Sequence, residues 1–207
     1  MRIVCISDTH GLHDGVGGVP DGDVLVHAGD LTNHGEITQV RSFNEWIGSL
    51  PHPHKLVIAG NHDFCFENAP ESCEPLLTNC TYLRDSGVLI DGVRFYGSPW
   101  QPWFYDWAFN LQRGADIRAK WRLIPQDTDV LITHGPVQGH GDMTDGNEAV
   151  GCVDLLEAIT ERDIRLHVFG HIHEGYGVTH RDNTQFVNAS TCTLSYQPTN
   201  SPIVIDL

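Results

Sequence analysis

Lys55-Leu56-Val57-Ile58-Ala59-Gly60-Asn61-His62-Asp63 is the stretch on which the reading of this chain turns. A short apolar run rich in β-branched residues breaks abruptly into a glycine and three side chains able to bind metals or protons. A strand buried on both faces has this continuous, non-alternating character, and its polar end puts Asn61, His62 and Asp63 at the strand's C-terminal edge. The pattern occurs twice upstream. Arg2 to Ser7 runs into Asp8-Thr9-His10, and Asp23 to His27 runs into Gly29-Asp30. Between the second and third runs, Ile37, Val40, Phe43, Ile47 and Leu50 recur at helical spacing. Asn33 followed by Glu36 offers an N-terminal cap, and Pro51 stops the segment. The unit is β-α-β. Its crossover is expected to be right-handed, so the strands are parallel and their C-terminal ends share one edge.

Downstream, Val88 to Ile90 and Val93 to Tyr96 flank Asp91-Gly92, a two-residue hairpin signal that adds antiparallel strands. Asp129 to Thr133 reads as a further buried strand, Val153, Leu156 and Ile159 as a helix, and Leu166 to Phe169 as the sheet resumed. Gly177 to His180, Gln185 to Asn188 and Ile203 to Ile205 are strand-like. No repeat or linker divides the chain. With 207 residues and 40% hydrophobic content, a single mixed α/β layered domain over residues 1–207 is expected.

Acidic residues number 27 against 12 Lys plus Arg, a formal charge of -15. Such a surface repels a phosphate polymer, which excludes extended nucleic acid as a partner. The apolar run at the N-terminus is too short for a signal peptide and no later run spans a bilayer, so no membrane association is expected and a cytoplasmic setting follows by default. The six cysteines lack C-x-x-C spacing and read as free thiols. The 13 histidines are the anomaly of the composition, because imidazole is the commonest side-chain ligand of transition metals.

Ligand-type residues follow five predicted core strands: Asp8-Thr9-His10, Gly29-Asp30, Gly60-Asn61-His62-Asp63, His134-Gly135, and Gly170-His171-Ile172-His173. Taken singly, such a motif is more often a solvated loop or a packed histidine. Their shared position after strands is what gives them weight, since loops at strand C-terminal ends converge on the crevice where α/β sheets bind ligands.

These motifs, D-x-H, G-D, G-N-H-D, H and G-H-x-H in this order, resemble the calcineurin-like metallophosphoesterases over Asp8 to His173. The resemblance looks closest to the small metallophosphoesterase-domain proteins that include brain-expressed phosphodiesterases. Tyr96 to Pro102, Gly170 to Gly177 and Asn188 to Cys192 carry that part of it. It implies a mixed-sheet β-sandwich flanked by helices and a dinuclear centre. Asp8, His10, Asp30 and His173 would hold one metal, and Asp30, Asn61, His134 and His171 the other, with Asp30 bridging. Some members of that branch have Gly for the first His of the last motif; this chain keeps His171, implying a complete pair. Mixed nitrogen and oxygen ligands suit Mn, Fe or Zn, with Mn the leading expectation. The implied reaction is hydrolysis of a phosphoester by metal-bound hydroxide. The resemblance assigns His62 proton donation to the leaving group, and Asp63 is expected to orient and help charge the imidazole.

Between Pro99 and Phe109 lie Trp100, Trp103, Phe104, Tyr105, Trp107 and Phe109. Such rings either stack on a nucleobase or aryl group or seal the core beneath a loop. Substrate contacts are assigned to Asn61, His62, Trp100 and His140, the last a glycine-flanked loop residue. His27 and His167 read as packed neutral residues, and His34 as a surface one. The expected activity is hydrolysis of small phosphodiesters such as cyclic nucleotides or nucleotide esters. The alternatives are a phosphomonoesterase or phosphoprotein phosphatase, and a non-catalytic scaffold on the same fold.

Overall fold

The computed structural model describes residues 1–207. Each apolar run forms a strand because both of its faces find cover. In β1 (Arg2–Ile6), Ile3 and Cys5 point to one side and Val4 and Ile6 to the other, all fully buried. Strands β2 (Val24–His27) and β3 (His54–Val57) pair parallel in turn, and β4 (Thr81–Tyr82) adds to β3. The crossover helix α1 (Ile37–Ser49) lays Val40, Phe43 and Ile47 on the outer face of this sheet.

The hairpin of β5 (Ser86–Ile90) and β6 (Val93–Ser98) turns through Asp91 and Gly92 at φ 46° and 82°, the double left-handed turn that matches strand twist. It forms one edge of a second sheet. Strands β7 (Gln101–Pro102) and β8 (Asn110–Leu111) pair only with each other, closing the base of the aromatic segment. Strands β9 (Val130–Thr133), β10 (Leu166–Phe169), β11 (Gly177–Arg181) and β12 (Thr184–Asn188) complete the second sheet in the order β11-β12-β10-β9-β6-β5. Its interior is parallel and its edge strands antiparallel. The last strand, β13 (Ile203–Asp206), returns antiparallel to β1, giving the first sheet the order β13-β1-β2-β3-β4.

Between the sheets, Ile3, Cys5, Val26 and Ile58 meet Phe95, Ile132, Val168 and Val187. The outer face of the first sheet is covered by α1 and by Phe66 and Cys73 of the short helices α2 (Phe64–Asn68) and α3 (Pro70–Cys73). That of the second is covered by α4 (Ala115–Trp121) and α5 (Val153–Thr160), through Ile117, Trp121, Leu155 and Ile159. The architecture is a mixed-sheet sandwich flanked by helices, in one domain, and none of its helices is long and apolar enough to cross a membrane.

One local expectation fails instructively. Asn33 does not cap α1: Glu36 is the N-cap residue, with no side-chain cap bond. The chain from Leu31 to Asn33 is held by Asp63 and His62 instead, through Leu31 N–H and Thr32 N–H to Asp63 and the His62 imidazole to the Asn33 carbonyl. A residue that would cap a helix is thereby drawn into the wall of a site.

Candidate metal centre

The two sheets bring their strand ends to one margin. Asp8 and His10 follow β1, Asp30 follows β2, Asn61 and His62 follow β3, His134 follows β9, and His171 and His173 follow β10. Turning so sharply off the strands has a conformational cost. Asp8, His10, Asp30 and His171 sit at φ 53°, 46°, 58° and 69°, a left-handed region that side-chain-bearing residues seldom adopt and that concentrates at functional sites. The margin also excludes side chains where strands approach. A Cβ on Gly170 would overlap the Asp8 carboxylate, and one on Gly60 the Asp30 carboxylate.

Two groups of donor atoms converge there. In the first, His10 Nε2 is 3.2 Å from His173 Nε2, 4.0 Å from Asp8 Oδ1 and 3.8 Å from Asp30 Oδ2, and His173 Nε2 is 3.4 Å from Asp8 Oδ1. In the second, His134 Nε2 is 3.3 Å from Asp30 Oδ2 and 2.8 Å from Asn61 Oδ1, which is also 2.8 Å from His171 Nδ1. Asp30 Oδ2 belongs to both groups. Donors that share an ion at bond lengths of about 2.0–2.2 Å lie roughly 2.8–4.4 Å apart, from a right angle to a straight line across it, and the separations here run from 2.8 to 4.0 Å.

The ring orientations also fit a cation. His134 Nδ1 donates to the Ala28 carbonyl at 2.9 Å and His173 Nδ1 to the Thr193 carbonyl at 3.0 Å. Each neutral ring therefore aims an Nε2 lone pair inward, His134 toward the carbonyl oxygen of Asn61, an arrangement that requires a proton or a metal between them. Without metal, protons fill that role. Burial opposes charge on His134, but Asp30 and then Asp8 outweigh it and raise its pKa to about 9. Burial likewise opposes charge on His173, while the Asp8 hydrogen bond and charge raise it to about 9. Burial holds His10 down to about 4 and His171 to about 3, so both rings are neutral. Burial pushes the carboxyls of Asp8 and Asp30 upward, yet the neighbouring imidazoles prevail and keep both ionised. Two buried carboxylates, four imidazoles and an amide oxygen are a donor set that fits two divalent ions of the Mn, Fe or Zn kind.

His62 stands over the first group, its Nε2 3.9 Å from Asp30 Oδ2. Its Nδ1 donates to the Asn33 carbonyl at 2.7 Å, and Trp107 packs on the ring with centroids 4.4 Å apart. Three expectations need correction. Asp63 does not touch this imidazole. Its buried carboxylate accepts from Leu31, Thr32 and Gly60 N–H and from the Thr32 hydroxyl, tying the loops after β2 and β3 together. Burial and the charge of Asp30 raise Asp63 to about 6. His140 is not at the cluster: its ring stacks on Phe186 at 3.8 Å and bonds the Thr179 hydroxyl, because the loop after β9 folds back over β11 and β12. Trp100 is half-buried against Phe109, donates to Asp85 at 2.9 Å and lies under the Lys120 ammonium, so it seals the core.

Several residues at the site lie outside the five strand-end motifs. Ser190 donates to Asp8 Oδ2 at 3.0 Å, holding the carboxylate for His173. Tyr196 packs within 4.8 Å of the His10 ring and 5.6 Å of His173. His34, exposed as expected, stacks on Trp107 at 5.7 Å. The carbonyls of Ala28, Asn33 and Thr193 that orient the imidazoles are backbone atoms, which no residue type reveals.

The family pattern described as calcineurin-like phosphoesterase matches residues 1–175. Metallophosphoesterase domain-containing protein 1 of Homo sapiens is 52% identical over 100% of this chain and 71% of its own length. A Caenorhabditis elegans UPF0046 protein is 43% identical over 100% of this chain and 81% of its own. Among solved structures, a Thermus thermophilus protein has a TM-score of 0.62 at 13% identity, covering 90% of this chain and 88% of that one. A novel archaeal phosphodiesterase has 0.51 at 17% identity, covering 93% and 85%. At those identities the two structures testify to the fold alone. With the pattern running through every loop that carries one of the seven donor residues, and a relative of this identity aligned along the entire chain, the protein belongs to the calcineurin-like phosphoesterase family.

Proposed function

We propose that this chain is a dinuclear-metal phosphoesterase that hydrolyses small phosphodiesters, with Asp8, His10, Asp30 and His173 around one ion and Asp30, Asn61, His134 and His171 around the other. The observation that carries the reading is the position of Asp30 Oδ2, within 3.8 Å of His10 Nε2 and 3.3 Å of His134 Nε2, one buried carboxylate shared by two nests of donors. Two divalent cations, Mn first among them, would supply Lewis acidity, ionise water near neutral pH and neutralise phosphoryl oxygens.

The protein contributes orientation and proton transfer. Asn61 turns its amide oxygen inward, and the His62 imidazole, next along the loop, keeps 11% of its side chain exposed. Because its Nδ1 proton is committed to Asn33, donation to a leaving alkoxide proceeds from Nε2. Trp107 and the Asn33 carbonyl fix the ring for that transfer. Asp63 acts as a positioning residue through the loops it ties. A diester, with a single negative charge, suits a protein of net charge -15 better than a doubly charged monoester.

Chelator-stripped protein reloaded with Mn tests the reading. Bis(4-nitrophenyl) phosphate should be cleaved only by the reloaded form, and faster than 4-nitrophenyl phosphate. A metal-bound protein inert toward both would favour a scaffold, and a preference for the monoester would replace the diester reading.

A further inference from the structure

A cavity of about 330 Å³ opens beside His171, bounded by Trp103, Phe104, Pro136 and Ile172. That volume lies in the range of clefts that hold small organic groups, about 300–1,000 Å³. The Phe104 ring is 6.4 Å from the His171 ring, so whatever enters the cavity is adjacent to the metal position that His171 serves. Trp103 and Phe104 remain 52% and 49% exposed, an uncovered aromatic surface at the edge of a polar centre.

The loop that presents these rings is built to hold its shape. Trp103 N–H donates to the Leu111 carbonyl at 2.8 Å, continuing the β7–β8 pairing. The Asn110 amide donates to the carbonyls of Phe104 and Tyr105 at 3.0 and 2.8 Å, and Tyr105 turns at φ 48°. The backbone that carries both rings is thus fixed before any ligand arrives, which reduces the ordering cost of binding.

The charged lining selects further. Asp145 and Glu174 line the cavity together with one guanidinium, that of Arg113, which is already committed to the carbonyls of Val150 and Gly151 at 2.7 and 2.9 Å. Glu174 is held by the Asp145 N–H at 2.9 Å. With two carboxylates against one occupied cation, a second phosphate or a carboxylate is repelled, while a neutral ring is not.

We infer that this cavity is a binding subsite for a flat, uncharged aromatic ring carried by the phosphoester, with Trp103 and Phe104 as its stacking surface. The inference rests on the phosphoesterase reading and deepens it. Aryl groups and nucleobases share this chemistry, so the test separates them.

The affinity of Mn-loaded protein for phenylphosphonate and methylphosphonate, measured by calorimetry, reads the subsite without turnover. Phenylphosphonate should bind roughly ten-fold more tightly, as stacking on an aromatic side chain allows. Trp103→Ala and Phe104→Ala should erase that advantage and leave methylphosphonate binding unchanged. 4-Carboxyphenylphosphonate should bind more weakly than phenylphosphonate, and Asp145→Asn should narrow the gap. In a second arm, the methyl, phenyl and thymidine 5′ esters of 4-nitrophenyl phosphate share one leaving group. A KM lowered for the phenyl ester alone assigns the subsite to aryl groups; one lowered for the thymidine ester assigns it to nucleobases. Equal affinity of the two phosphonates in the unmodified protein would overturn the subsite and spare the phosphoesterase reading. Failure of both to bind, with no turnover of any ester, would overturn both.

Discussion

The polar cluster at the strand ends and the aromatic segment from Trp100 to Phe109 meet at His171, but they are assembled differently. The cluster's side chains leave buried strands within a few residues, and several of its imidazoles are steered by backbone carbonyls at 2.7–3.0 Å. The aromatic segment hangs from a two-residue strand pair, and its six rings divide their duties. Trp100 and Phe109 pack inward, Trp107 covers His62, and Trp103, Phe104 and Tyr105 face outward. Rigid elements define where a metal ligand points, whereas a loop can assign neighbouring rings to opposite tasks.

Substitutions can break that comparison. The largest effect is expected at His62. His62→Ala should keep both metals yet lose about 10²–10⁴ in kcat, the range for removing a general acid; atomic absorption and steady-state kinetics check this, and full activity would remove the role. Next is Ser190→Ala, which frees the Asp8 carboxylate. Loss of such an outer partner should weaken metal binding about 10–100-fold, seen as a higher Mn concentration for half-maximal activity.

Within the aromatic segment, Trp100→Ala should destabilise by about 2–3 kcal/mol, through lost packing and the lost bond to Asp85. Trp103→Ala should stay within about 0.5 kcal/mol. Urea unfolding of both variants measures the contrast, and equal losses would mean that the segment acts as one packed unit.

A smaller, pH-dependent effect separates the cluster from the rest of the fold. His134 and His173 have folded pKa values raised to about 9 from an ordinary 6.5. Their contribution to metal-free stability is therefore complete below about pH 6.5 and is lost as the pH rises through 9. His27 and His167, which burial holds down to about 3, have the opposite sign: their contribution is present above about pH 6.5 and declines as the pH falls toward 3. Metal-free protein should accordingly unfold more easily at pH 9.5 than at pH 7, while Mn-loaded protein should not. Urea titrations at the two pH values test this, and identical behaviour of the two forms would contradict it. Metal binding should also release protons at pH 7.

Much of this arrangement is legible in the sequence, for physical reasons. Arg2 to Ser7, Asp23 to His27 and Leu166 to Phe169 announce buried strands because nothing polar interrupts them, and the residues that follow must emerge at the sheet margin. Asp91-Gly92 announces its hairpin because few residue pairs tolerate two positive φ angles. Helix α4 carries no such signal: Ala115–Trp121 has only two turns and buries just Ile117 and Trp121, too little periodicity to read. The missing cap at Asn33, the remote position of His140 and the inward turn of Trp100 share one cause. Each is decided by a tertiary partner, namely His62, Phe186 and Asp85, and not by neighbours in the chain. Asp63 illustrates the same limit, since adjacency to His62 in sequence does not bring the two side chains into contact.

Electron paramagnetic resonance of the Mn-loaded protein tests the shared-carboxylate geometry most directly. The unmodified chain should show the multiline spectrum of an exchange-coupled Mn pair, and Asp30→Asn should abolish the coupling. Two independent, uncoupled Mn signals in the unmodified chain, or a single ion, would contradict a centre built around Asp30.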